Sequence, residues 1–326
     1  REAARHCAIT DNRPMPAPAE SLHLLIADAA LPRDAPLPPW PALPQLQALL
    51  GCMRLQHTIE ADEDSPATPF ELALARAHGL PGAPGRIPWA AFETATVGAP
   101  CAWFRPCHWQ VGMDQVSLLD PHELALTEAE SRALLAALQP LLQEDGLALR
   151  YVAPDRWLAQ GERLRGLACA SMARALQHAL TPAALTVAPD AAQGAHLRRL
   201  QSEMQMLLYQ QPVNDAREAA RRYPVNAVWI EGAGTLDAPL PPNPGVRTDT
   251  RLQTPPASTD DYQRAWQAIA QESVAPLVAA QRAGAPVRLT LCGARRALGL
   301  STAPGLKAWL MRKMRPLRLS GVREQL

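Results

Sequence analysis

The sequence predicts an α/β fold with a mostly parallel central sheet flanked by helices, and three stretches carry that expectation. From His196 to Gly234, HLRRLQSEMQMLLYQQPVNDAREAARRYPVNAVWIEGAG sets helix, helix, buried strand and glycine turn in succession. LHLLIADA from Leu22 has the length and apolarity of a buried strand, and VRLTLC at 287–292 alternates as another.

Each element has a local cause. Residues 1–20 read as a disordered lead ahead of the Leu22 strand. Leu43 to Leu50 and Phe70 to His78 read as short helices, the second entered after Pro69 and stopped by Gly79. The run from Pro100 to Pro121 carries β-formers and predicts two strands around Pro106 to Gly112. Thr127 and Glu130 form a capping box for a helix with the face Leu134, Leu135 and Leu138, limited by Pro140. Leu147 to Val152 and Arg156 to Leu158 read as a strand pair turned at Pro154-Asp155, and Ala170 to Ala179 as a helix.

Leu197, Leu200, Met204, Leu207 and Leu208 recur at helical spacing, so 197 to about 210 is an amphipathic helix that Pro212 ends. Asn214 then caps a short helix bearing Arg217, Pro224 breaks the chain, and VNAVWI is a strand stopping at Gly232-Ala233-Gly234. Thr259 caps a further helix with Asp260 and Asp261 in its first turn, continued from Pro276. The expected organisation is an α/β domain over 21–293, a lobe boundary in the Pro-rich tract near 239–256, and a basic C-terminal helix over 294–326.

The chain has 326 residues, 48% hydrophobic and 19% charged, enough to bury a sizeable core. Only Lys307 and Lys313 among 32 basic residues are lysines, a bias read as genomic before functional. The net charge of +1 is uneven: residues 282–326 carry ten Arg or Lys against Glu324, so the rest is acidic. That asymmetry suits a basic helix folded back on an acidic body, or an acidic protein partner, a membrane surface or nucleic acid. The lack of interleaved aromatic residues disfavours nucleic acid. Six cysteines without paired spacing predict reduced thiols and a cytoplasmic location. No apolar h-region and no 18-residue apolar run is present, so no membrane contact is expected. The Gly-x-Ser-x-Gly elbow, Walker loop and His-Glu-x-x-His helix are all missing, which moves the common hydrolases and triphosphatases from the front rank.

Three constellations are candidate sites. His108 and Asp114 could share a metal or a proton if a turn at Gly112 joined them, but on one strand they would stand about 20 Å apart, leaving His108 a backbone-bonded histidine. Asn214 and Arg217 could hold a phosphate or carboxylate at a helix start, or serve as a cap and a salt-bridged arginine. Asn226 lies on a strand with Glu231, Gly232 and Gly234 at its carboxyl end, the edge where open α/β sheets bind ligands, or the group forms a tight strand exit with Asn226 satisfying loop backbone.

Three segments together, LQSEMQMLLYQQPVNDAREAARRYPVNAVWIEGAG, PCHWQVGMDQVSLLDP and LTEAESRALLAALQPLLQEDGLALRYVAPDRWLA, carry a resemblance. The chain resembles, from about Leu22 to about Gly293, a proteobacterial family labelled cofactor-independent phosphoglycerate mutase or regulatory protein of the pathogenicity-factor E type. The resemblance implies a distantly alkaline-phosphatase-like fold. It also implies that Arg217 and Asn226 are remnants of a phosphate-binding wall. Mutases of that kind use a nucleophilic serine and two divalent metals, manganese or magnesium, held by Asp and His clusters. Here Asp28 is the one counterpart to the first metal aspartate, it is followed by Ala29 instead of glycine, and no Asp-x-His-Gly occurs. The expectation is a regulatory or ligand-binding protein with no metal cofactor and a small phosphorylated or carboxylate ligand. The alternative is a genuine mutase or phosphatase with a divergent site.

Overall fold

The computed structural model describes residues 21–30, 40–62, 64–111, 116–177, 186–187, 190–254, 258–302 and 317–326. The lead at 1–20 and Asp114 lie outside them. In chain order the first half comprises β1 (Leu22–Ala30), α1 (Pro44–Gly51), β2 (Met53–Glu60), α2 (Pro69–His78), α3 (Trp89–Glu93), β3 (Cys101–Cys107), β4 (Trp109–Val111), β5 (Val116–Leu118), α4 (Pro121–Leu124), α5 (Glu128–Glu144), β6 (Ala148–Ala153) and β7 (Arg156–Gln160). The second half follows with β8 (Ala168–Cys169), α6 (Met172–Gln177), β9 (Thr186–Val187), α7 (Ala191–Tyr209), α8 (Pro212–Ala219), β10 (Ala227–Gly234), β11 (Val246–Asp249), α9 (Thr259–Ala268), α10 (Ala275–Arg282), β12 (Val287–Gly293), β13 (Arg296–Thr302) and α11 (Leu319–Gln325).

The fold is α/β, with a central sheet flanked by helices. That sheet has the order β11-β1-β12-β13-β2. Its parallel pairing is confined to β11, β1 and β12; β13 and β2 join antiparallel. A period of two explains its two-sided burial. Leu24, Ile26, Leu289, Leu291, Leu298 and Leu300 face α1, α9, α10 and α11 in one core. Leu25, Cys292 and Ala297 face α2 on the other side.

A second sheet, β10-β3-β7-β6, is antiparallel throughout. One face buries Ala102, Phe104, Val228 and Ile230 against α5 and α7. The opposite face carries Cys101, Trp103 and Leu158 against α3, and Ala227 and Trp229 against α6. The fully buried Trp157 donates its indole N–H to Ser131 Oγ of α5 at 2.9 Å, so the ring adds its apolar area without an orphaned donor.

The expected elements recur with instructive differences. The Thr127 capping box is present, but α5 runs through Pro140 to Glu144. Burying Leu142 beside Leu134 and Leu138 outweighs the hydrogen bond that proline removes. Asn214 does not cap α8: Gln211 stands at the N-cap and Asn214 is in the first turn. Ser258, one residue before Thr259, caps α9 by accepting from Asp261 N at 3.1 Å. Gly232-Ala233-Gly234 is not a terminating turn. The strand continues to Gly234 through a register shift after Glu231, with Gly232 at φ +61°.

The tract near 239–256 holds β11, which pairs with β1. The basic segment after 293 opens as β13, because Ala297 and Leu298 alternate onto the two buried faces of the central sheet; among its described residues Leu319–Gln325 is helical, and the expected helix at 303–316 lies outside the described residues. Among the described residues no helix is long and apolar enough to cross a membrane.

Candidate functional site

The residues singled out in the sequence fall into two groups. Asn214 donates through Nδ2 to Leu208 O and Val225 O and accepts from Val225 N, at 2.7–2.8 Å, tying the end of α7 to the start of β10. Arg217 is fully buried. Its Nε donates to Tyr223 O at 2.7 Å, one terminal nitrogen to Leu124 O, and the other to Glu130 Oε2 at 3.0 Å. Asn226 clamps the Trp109 backbone at both ends, accepting from its N–H at 2.7 Å and donating to its carbonyl at 2.9 Å. His108 bonds through Nδ1 to Pro224 O at 2.8 Å and packs against the Tyr223 ring at a tilt of 47°. These four polar side chains join segments of the second sheet and its helices, and the hydrogen bonds they make go to backbone and to the Glu130 carboxylate.

Glu231, Gly232 and Gly234 sit elsewhere, on the face of the second sheet that carries α3 and α6. Glu231 pairs with Arg105 at 3.1 Å and accepts from Met172 N, at the start of α6, at 2.6 Å. Arg105 also pairs with Asp155 at 2.6 Å. Gly234 lets the strand pass Pro88, whose Cβ would lie 2.7 Å from an added methyl group.

The same junction recruits residues that local patterns do not reveal. Thr68 and Glu71 form a capping box at the start of α2, and Glu71 Oε2 also accepts from Ser171 Oγ at 2.8 Å. Burial pushes the Glu71 carboxyl up to about 7, against the hydrogen bonds from Thr68 and Ser171 that favour its ionised form. Arg174, fully buried, donates to the carbonyls of Ser65, Ala61, Asp62 and Ala294, linking α6 to the exits of β2 and β12. Glu71, Ser171, Gly232, Trp89 and Cys169 help to line a cavity of about 20 Å³. That is room for roughly one water molecule. The junction can hold a proton on Glu71 near neutral pH; it is too small for a phosphorylated metabolite. Thr68-x-x-Glu71 was readable as a capping box, but Ser171 lies 100 residues away and only the fold brings it to Glu71.

Asp28 lies in β1 two residues before its end, at a register shift, with a left-handed backbone, φ +46°, and burial raises its carboxyl to about 6. Among the described residues no three His, Cys, Asp or Glu side chains are grouped so as to hold a metal.

No protein-family model matches the chain, and no curated protein matches it in sequence. Among solved structures it is similar to a cofactor-independent phosphoglycerate mutase from Thermoplasma acidophilum, at 12% identity over 88% of this chain and 91% of that one, with a TM-score of 0.35. It is also similar to the PH0037 protein from Pyrococcus horikoshii, at 13% identity over 89% of each chain, with a TM-score of 0.39. Likeness at this level assigns no residue a role.

Proposed function

We propose that this chain is a cytoplasmic regulatory or ligand-binding protein that takes a small phosphorylated or carboxylate ligand and performs no two-metal phosphoryl transfer. The observation that carries the reading is the state of Asp28. Among the described residues no group of three His, Cys, Asp or Glu side chains able to hold a metal includes it. Two-metal chemistry needs several ionised ligands to balance the cations and the charge developing on the reacting oxygens. None of the five described cysteines is joined in a disulfide and four are buried, which agrees with a reducing compartment.

The test is direct. Purified protein with manganese and 3-phosphoglycerate is expected to show no turnover and to retain no stoichiometric divalent metal. Turnover that Asp28→Ala abolishes, or two tightly held ions per chain, would overturn the reading and restore the mutase alternative.

A further inference from the structure

On the α2 face of the central sheet, the pairing register aligns two rows of side chains across four strands. His23, Arg288, Ser301 and Arg54 are successive partners on β1, β12, β13 and β2. Leu25, Thr290, Gly299 and His57 form the next row. Opposed residues on paired strands project from the same face, so both rows share one surface. His23 Nε2 bonds Thr290 Oγ1 at 2.8 Å. Gly299 lies directly under His57: a Cβ there would stand 2.3–2.8 Å from the ring atoms. A glycine inside a strand weakens it, and here it admits the imidazole onto the sheet.

The helix α2 covers the second row and ends beside the first, bringing Arg76 and His78 in its last turn. Gly79 and Leu80 donate backbone N–H groups to the carbonyls of Arg76 and Ala75, so these two side chains are not needed as C-caps. His78 Nδ1 accepts from Asn243 N at 3.1 Å, which leaves Nε2 as the ring's donor. Arg54, Arg76 and Arg288 are exposed, and the three imidazoles are half-buried. Among the described residues none of the six forms an ion pair. Glu60 pairs with Arg296, each three residues along its strand from the His57–Gly299 pair and so on the opposite face, Asp249 is opposite Ile26 on that other face, and Glu71 is seven residues back at the far end of α2.

We propose that this surface, at the amino end of β1, is a binding site for a small soluble phosphate-bearing anion, held by Arg54, Arg76 and Arg288 above the imidazoles of His23, His57 and His78. The proposal rests on the ligand-binding reading above and gives that reading a location. Like charges gathered without a counter-ion repel one another, and a multivalent anion relieves that repulsion while accepting guanidinium hydrogen bonds. Burial and Arg288 push His23 down to about 4, and burial together with Arg76 and Arg288 lowers His57. Burial lowers His78 as well. An anion reverses that electrostatic balance, so binding takes up protons and tightens as the pH falls.

The test is titration with inorganic phosphate at pH 5.5 and pH 8, following the imidazole carbon-bound proton resonances. We expect the resonances of His23, His57 and His78 to move, with affinity at least tenfold higher at pH 5.5. An Arg54→Gln and Arg288→Gln double variant should lose at least tenfold, and Arg76→Gln, at an exposed helix position, serves if that variant does not fold. Phosphate that moves no imidazole resonance, or binds the variants as tightly as the native chain, would overturn the site. Cosedimentation with phosphatidic acid vesicles that the double variant loses would overturn a soluble source of the phosphate. The manganese and 3-phosphoglycerate assay runs separately: turnover there removes the non-enzymatic reading, whereas phosphate bound away from these histidines removes only this site.

Discussion

Arg217 and Glu130 meet at 3.0 Å, with the guanidinium fully buried beneath α8 and the carboxylate closing the cap of α5. Glu130 accepts at once from Thr127, Arg217 and Arg222, so one side chain joins a helix start to the loop that feeds β10. Burial opposes its ionisation, but these bonds and charges prevail and hold its carboxyl below the usual value.

Breaking this pair from the arginine side should therefore cost stability. Arg217→Ala leaves the carbonyls of Tyr223 and Leu124 without their donor and removes the mate of a largely buried carboxylate, a loss of about 3–5 kcal/mol. Urea unfolding followed by circular dichroism measures it. A change within 1 kcal/mol, accompanied by loss of phosphate binding, would return Arg217 to a ligand role.

Ser131→Ala tests the satisfaction of the second core. The indole N–H of Trp157 would be orphaned in a dry interior, and the expected cost is about 1–3 kcal/mol. Tryptophan emission should change with it, and a neutral variant would show that another acceptor reaches the ring.

Glu71 makes stability depend on pH in the alkaline direction. Its folded pKa, about 7, lies above the ordinary 4.5, so the folded state holds the proton more tightly than the unfolded chain. The contribution is complete below about 4.5 and is lost as the pH rises through 7. Glu71→Gln, which cannot ionise, should flatten that limb, with a relative gain on the order of 1–3 kcal/mol at pH 8 over pH 4.5. Parallel stability curves for the two proteins would contradict the assignment.

His23 acts with the opposite sign. Its folded pKa, about 4, lies below 6.5, so the unfolded chain binds the proton more tightly, and stability present above 6.5 falls as the pH drops towards 4. His23→Gln keeps a polar partner for Thr290 and should remove on the order of 1–2 kcal/mol of that acid loss. Urea midpoints between pH 4 and pH 7 would show it, and an unchanged acid limb would count against a neutral His23.

What the sequence determined by itself is local and periodic. The Thr127 capping box, the face of Leu197, Leu200, Met204 and Leu208, and the strands at Leu22 and Val287 depend on neighbours within a turn or on an alternation of two, and all appear where the spacing puts them. The tertiary structure decided the rest. Pro140 stays inside α5 because the core beneath it needs Leu142, and Gly232 is a bulge because β10 keeps its pairing with β3 beyond it.

The polar residues show the same division. A buried donor must find an acceptor, and which acceptor it finds depends on chain segments far away in sequence: Glu130 for Arg217, 87 residues apart, Trp109 for Asn226, 117 apart, and Glu71 for Ser171, 100 apart. The cationic surface around His23 arises likewise, from strand order and register that bring residues 23, 54 and 288 into one row. Residue types along the chain state what each group can bond; long-range strand pairing alone states what it meets.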